Sequence, residues 1–189
     1  MTVTYAPASS EWTTPQPLFD ALDKIFHFTV DVAATADNAK CAEFYTAERD
    51  GLAQKWRGVV WCNPPYGRGL GRWVEKASKS RATVVMLLPA YTANAWWQDF
   101  VIPRGEVILL RGRLQYGGIP FPAPFSSAIV VFNRNGSGRK RYIKRCKNCK
   151  GFFFASRSHA TTCGTACRVA RCRTGSKFRT RQTNADLER

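Results

Sequence analysis

No apolar run in this 189-residue chain is long enough to cross a bilayer, which takes about 20 predominantly apolar residues in a helix. The first residues, Met1-Thr2-Val3-Thr4-Tyr5, lack the basic and apolar regions of a signal peptide. The expectation is therefore a reducing cytoplasm with no membrane partner, where seven cysteines speak for metal ligands or free thiols rather than disulfides. Acid is scarce, and unevenly so. Residues 134–189 hold 2 Asp and Glu against 16 Lys and Arg, whereas residues 1–133 hold 11 against 13. A near-neutral body with a strongly basic tail fits a catalytic domain carrying a polyanion-binding attachment. A solvated basic tail accounts for the charge equally well, taken by itself. Also missing is any Gly-rich G-x-G after the first predicted strand. The stretch from Asp31 to Val59 is too short for two full βα units, so a Rossmann-like half here must be abbreviated.

What is present centres on Val59-Val60-Trp61-Cys62-Asn63-Pro64-Pro65-Tyr66. An apolar run of buried-strand character stops at two prolines, which have no N–H and restrict the residue before each of them. Asn63 and Tyr66 are thus placed on a stiff loop at the carboxyl end of a strand, the edge where open α/β sheets bind ligands. The chemistry such a loop suits is specific. The exocyclic amine of adenine is a poor nucleophile because its lone pair is delocalised into the ring. Two acceptors aimed at its hydrogens localise that pair, and the Asn63 side-chain oxygen and the Pro64 carbonyl are candidates. The Tyr66 ring offers a stacking face, and a duplex base has to leave its stack to reach it. Asn63 carries no charge and is no general base, so its part is geometric and electrostatic. The plainer reading is a strand-ending turn.

Before this corner, Thr14 is expected to cap a helix opened by Pro15, with Leu18, Leu22, Ile25 and Phe26 at helical spacing. Residues 28–34 read as the first strand, residues 41–45 as a short strand or helix, and Asp50-Gly51 as a turn pair. After the corner, Gly67-Arg68-Gly69-Leu70-Gly71 is flexible and basic, and Arg68 and Arg72 are candidates for phosphate of a substrate strand. A helix over 73–80, a continuous apolar strand over 82–90, a helix over 93–100 and strands over 105–110 and 126–132 follow. The alternation implies a doubly wound sheet. The loop over 117–125 is a candidate wall of a base pocket, with Phe121 and Phe125 as stacking residues.

Asn63-Pro64-Pro65-Tyr66 resembles the [DNS]-P-P-[YFW] motif of S-adenosylmethionine-dependent amino-group methyltransferases. Trp12-Thr13-Thr14-Pro15, Asp31-Val32-Ala33-Ala34, Asp50-Gly51-Leu52, Leu87-Leu88-Pro89-Ala90 and Gly112-Arg113-Leu114 flank it in order. Together they resemble the phage-type (Dam-like) DNA N6-adenine methyltransferase family over residues 11–133. The resemblance implies an abbreviated Rossmann-like methyltransferase sheet within residues 1–134 and methyl transfer from S-adenosylmethionine to adenine N6 in DNA. It implies cofactor contacts at Trp12, Thr13, Thr14, Pro15, Asp31, Ala33, Asp50, Leu52 and Asn63. Asp37 is a further candidate for a ribose hydroxyl. Catalytic roles fall on Asn63, Pro64, Pro65 and Tyr66, and a base contact on Phe125. A phage-encoded chain of this kind works in the bacterial host cytoplasm, as a monomer or homodimer. The motif also suits RNA, cytosine N4 or protein glutamine, and a non-catalytic zinc-dependent DNA-binding protein is the reading from another class.

Residues 135–145 read as a basic linker. Cys146, Cys149, Cys163 and Cys167 then form C-x2-C and C-x3-C pairs, four thiolates matching tetrahedral Zn²⁺. Cys172 in place of Cys167, or His159 in place of one cysteine, are alternatives. A module this small takes its folding energy from the metal. Residues 146–175 resemble a treble-clef-like zinc knuckle, whose second pair opens a basic helix carrying Arg168, Arg171 and Arg173. With Arg179 and Arg181 these are the candidates for DNA phosphate. Residues 176–189 are expected to be a flexible basic tail.

Overall fold

A computed structural model of the chain describes residues 12–133, together with the backbone of 142–145 and 152–155. The chain divides into two compact units, Met1–Lys140 and Arg141–Arg189.

The first unit is built on a six-stranded sheet of order β2-β1-β3-β4-β6-β5. Its strands are β1 (Val30–Asp31), β2 (Glu43–Phe44), β3 (Val59–Cys62), β4 (Thr83–Pro89), β5 (Glu106–Leu109) and β6 (Ser127–Phe132). β2, β1, β3 and β4 pair in parallel, and β6 runs antiparallel to both its neighbours, β4 and β5. The sheet is thus mixed, where strand and helix alternation alone predicts a parallel one. β4 and β6 lie inside the sheet, and both are apolar on both faces, with Val84–Leu88 and Ala128–Phe132 all buried. β5 is an edge strand and alternates, burying Ile108 while Val107 and Leu109 face out.

Side-chain parity sorts the two layers, since successive strand residues point to opposite faces. Val60, Cys62, Val84, Met86 and Leu88 share one cluster with Leu70, Val74 and Ala77 of helix α2 (Leu70–Lys79). Trp97 and Val101 join it from a π-helical turn, Trp97–Val101, that runs into the short α3 (Ile102–Arg104). Trp61 points the other way, onto Phe19 of helix α1 (Gln16–Phe26) at 5.6 Å and Phe28 at 5.3 Å between ring centroids. Its indole N–H is buried without a partner, a loss of order 1–3 kcal/mol that the ring packing must offset.

Several expectations shift. The expected first strand over 28–34 pairs as a ladder only at Val30–Asp31, with single bonds from Thr29 N to Val59 O and Val32 N to Trp61 O beside it. No helix joins β1 to β2 or β2 to β3, so this half of the sheet is abbreviated as its length requires. The cap of α1 is Pro15, whose carbonyl accepts from Leu18 and Phe19; Thr14 makes no cap bond and is buried instead. The expected helix over 93–100 is largely π-helical, and α2 begins three residues before the expected start at Trp73.

In the second unit β7 (Tyr142–Arg145) pairs antiparallel with β8 (Phe152–Ala155). β7 occupies the last residues of the stretch read as a linker. Cys146, Cys149, Cys163, Cys167, His159, Cys172 and the arginines from Arg168 onward lie outside the described residues.

Candidate active site

The chain leaves β1 toward β2 on one side and returns to β3 on the other. The carboxyl ends of β1 and β3 therefore border a topological switch point, where ligands of open α/β sheets bind. Asp31 ends β1, and Asn63 follows β3 by one residue. Between them opens a cavity of about 330 Å³, within the range of small-molecule sites. Trp12, Thr13 and Thr14 line one wall, residues 31–35 the floor, Asp50 and Gly51 another wall, and Asn63, Pro64 and Pro65 the last.

Asp31 is 3 % exposed. Its Oδ1 accepts from Ala33 N at 3.3 Å and its Oδ2 from Lys40 N at 3.1 Å, which folds the β1–β2 connection around the carboxylate. Burial outweighs those bonds and the nearby Lys40 charge, and raises the carboxyl to about 6. Each oxygen retains a lone pair, so a cationic amine in the cavity would relieve the penalty.

The wall beside it needs its glycine. A Cβ on Gly51 would stand 2.0 Å from the Val32 carbonyl oxygen and 3.0 Å from the Trp73 ring. Asp50, at φ 44°, closes the turn by accepting from Leu52 N. Trp56 Nε1 donates to Gly51 O at 2.8 Å and Lys76 Nζ to Leu52 O at 2.7 Å, while the Trp56 and Trp73 rings stack. The turn is thus clamped from β3's approach and from α2 together.

The Asn63 amide is locked at both ends. Its Nδ2 donates to the Trp12 carbonyl oxygen at 2.5 Å, and its Oδ1 accepts from the Tyr66 hydroxyl at 3.0 Å. A carbonyl oxygen only accepts, so the bond to Trp12 fixes which end of the amide is nitrogen. Trp12 is held in turn. Thr13 and Gly117 form an antiparallel bridge, with Gly117 N donating to Thr13 O at 2.9 Å, and the Trp12 ring meets Tyr116 and Phe125 edge-on at 5.1 and 5.0 Å. Tyr66 and Tyr91 complete an aromatic group around Phe125, each 5.8 Å from it. Burial, and then Tyr116 beside it, push the Tyr66 phenol well above its ordinary value, so it stays a donor.

The structure thus brings Trp12, Thr13, Thr14, Asp31, Ala33, Asp50, Asn63, Pro64 and Pro65 onto one cavity. Pro15, Leu52 and Asp37 fall outside its lining, where Asn38 and Trp73 stand. Tyr66 and Phe125 lie beside the corner, in the aromatic group. Phe121, 72 % exposed, lies between Pro120 and Pro122 in the same loop as Phe125. Arg68 and Arg72 are exposed and belong to no ion pair among the described residues, where Lys79–Glu75 is the pair formed. Trp73, Tyr45 and Tyr116 escaped sequence reasoning. An aromatic on a helix or loop carries no spacing signal for a cavity formed by distant strand ends.

A family model described as DNA N-6-adenine-methyltransferase (Dam) matches residues 2–145. "Putative methyltransferase YfdM" of Escherichia coli (strain K12) is 39% identical over 64 residues, 30% of this chain and 70% of that protein. The DNA N-6-adenine-methyltransferase of Escherichia phage T1 is 31% identical over 109 residues, 54% of this chain and 45% of that protein. The chain therefore spans under half the length of the phage relative.

Proposed function

The chain belongs to the DNA N-6-adenine-methyltransferase (Dam) family, and from that premise we propose that it moves a methyl group from S-adenosylmethionine to N6 of an adenine in DNA at the Asn63 corner. The observation that carries this reading is the Asn63 amide, held by Trp12 and Tyr66 at the rim of a cavity that has a buried carboxylate at its floor.

The donor set of the cavity fits the cofactor. Asp31 offers a desolvated carboxylate for an amine cation, Thr13 and Thr14 offer backbone and hydroxyl groups, and Gly51 allows the close approach of two walls. When bound, S-adenosylmethionine supplies an electrophilic methyl carbon on its sulfonium. The remaining work is the chain's own. The Asn63 Oδ1 has a second lone pair free after accepting from Tyr66, and the Pro64 carbonyl is fixed by the Pro-Pro backbone. Two acceptors on the amine hydrogens draw its lone pair out of the ring and aim it. The partly exposed rings of Tyr66 and Phe125, backed by the buried Tyr116, give a base taken out of the duplex a face to stack on. Arg68 and Arg72, exposed at the start of α2, suit the phosphates beside that base.

The second unit is read as a zinc-dependent DNA-contact module. Cys146 and Cys149 fall in sequence between β7 and β8, at the C-x2-C spacing of a zinc-ligand pair. Cys163 and Cys167 complete the set, and Arg168, Arg171 and Arg173 follow as phosphate contacts.

The test is methylation of defined DNA with labelled cofactor, followed by nucleoside analysis. Label in N6-methyladenine is expected; label in cytosine, or none, overturns the reading. Asn63→Ala should lower the rate by about a hundredfold or more, the scale of losing one preorganised polar group, while DNA affinity stays near wild type. Retained turnover in that variant would contradict the role of the amide.

A further inference from the structure

A chain of hydroxyls runs behind Asn63. Tyr66 Oη lies 3.0 Å from Asn63 Oδ1, 3.0 Å from the Leu87 carbonyl oxygen and 3.1 Å from Tyr116 Oη. Tyr116 Oη lies 3.0 Å from Ser127 Oγ. Tyr116 is 1 % exposed and Ser127 0 %, so no solvent completes the bond between them, and Tyr66 is half-buried in front of it.

The protons can be counted. Three hydroxyls bring one proton each. Asn63 Oδ1 and Leu87 O accept only, so the Tyr66 proton must go toward one of them. Tyr66 then has none to give Tyr116, and Tyr116 has to donate to Tyr66. Ser127 must in turn donate to Tyr116. The opposite direction would set Tyr66 lone pairs against two carbonyl oxygens at once. Burial raises both phenols, so all three groups stay protonated and the chain is made of donors. One choice remains, between Asn63 Oδ1 and Leu87 O for the Tyr66 proton. A donor behind Tyr66 keeps its proton from turning toward Tyr116, leaves it to the two carbonyl oxygens, and strengthens its O–H as a donor.

We propose that Tyr116 and Ser127 are positioning residues for methyl transfer: acting in series through Tyr66, they hold its one proton on Asn63 Oδ1 and so fix which lone pair of that oxygen faces the substrate amine. The proposal rests on the reading of Asn63 as the amine-binding group. It concerns two residues that lie in the loop after β5 and at the start of β6, far from the corner in sequence. The sheet order β3-β4-β6 is what brings their hydroxyls behind it.

The test uses the full chain and compares Tyr66→Phe, Tyr116→Phe and the double variant in single-turnover methylation. Each phenylalanine keeps the ring packing. Tyr116→Phe should slow the step by about tenfold, the scale of one hydrogen bond, with cofactor and DNA dissociation constants within about twofold of wild type. The double variant should be no slower than Tyr66→Phe, since Tyr116 acts only through it. Ser127→Ala should slow the step by about threefold and be equally silent in the Tyr66→Phe background. An unchanged rate in Tyr116→Phe, multiplicative losses in the double variant, or losses that follow binding would each overturn the proposal. The side-chain amide of Asn63 gives a readout independent of turnover. Its ¹⁵N resonances should form one set in the wild type and broaden or split in Tyr116→Phe, and if Tyr116→Phe does not fold, in Ser127→Ala. An inert wild type with this spectral change would sink the functional reading but keep the relay. Active wild type with unaltered resonances would do the reverse.

Discussion

At the residue scale, the proposed cofactor contact at Asp31 ties ligand binding to the ionisation of a buried carboxyl group that lines the cavity. Asp31 sits near 6 because burial disfavours its charge. Between pH 3.8 and 6 the folded chain holds this proton more tightly than the unfolded one. Its contribution to stability therefore falls as pH rises through that window and is level above it. Binding of a cationic amine has the opposite sign, since it needs the carboxylate. Cofactor affinity measured by calorimetry should weaken as pH drops below 6, approaching tenfold per unit. Asp31→Asn should bind weakly at every pH and lose that dependence. An affinity flat from neutral pH down to about pH 5 in the wild type would remove Asp31 from the cofactor site. Asn63 is different in kind: it does not titrate, and its two ends are spent on fixing direction.

At the scale of elements, two turns make the site, and they are stiff for different reasons. The Asn63 corner is stiffened covalently, by consecutive prolines. The Asp50–Leu52 turn is stiffened by Trp56, Trp73 and Lys76, which arrive from the approach to β3 and from α2. Gly51→Ala tests the second. The new Cβ would meet a backbone oxygen, not the flexible end of a side chain, so the turn must retreat from Val32. Cofactor affinity should fall on the order of tenfold and stability by about 1–3 kcal/mol, with DNA affinity preserved. Normal cofactor binding in that variant would show that the cavity tolerates a moved wall. The aromatic loop after β5 has a related role, because its Gly117 is bridged to Thr13 and so holds Trp12 against Asn63.

For the molecule as a whole, charge is divided unevenly along the chain. The body to residue 133 is close to neutral, whereas residues 134–189 carry 16 basic against 2 acidic side chains. Removing residues 141–189 should flatten the dependence of DNA affinity on salt, by about 0.9 in log–log slope for each phosphate no longer neutralised. An unaltered slope would mean that this unit touches no phosphate. Zinc should be found by elemental analysis of the full chain at one ion per molecule. Chelation should change NMR resonances after residue 141 and spare those of the sheet, since a zinc module of the proposed kind takes its folding energy from the metal while the sheet has its own core. Zinc-free protein with an unchanged spectrum would refute the site.

How much of this was legible from residue order follows from the range of the interactions. The apolar run before Asn63, the double proline after it and the continuous apolar run over 82–90 are local signals, and strand, corner and central strand emerge where they predict. Strand lengths in the first half, the antiparallel β6 and the π-helical turn depend on packing partners distant in sequence, and no periodicity encodes them. The same holds for the site. Asn63, Asp31 and the threonines announce themselves by motif, yet Trp73 and Tyr116 are only an aromatic on a helix and another in a loop until the sheet is ordered. Chemistry that resides in one side chain and its neighbours can be read from the chain. The direction of a hydrogen bond from Ser127 through Tyr116 and Tyr66 to Asn63 exists only once β3, β4 and β6 lie side by side.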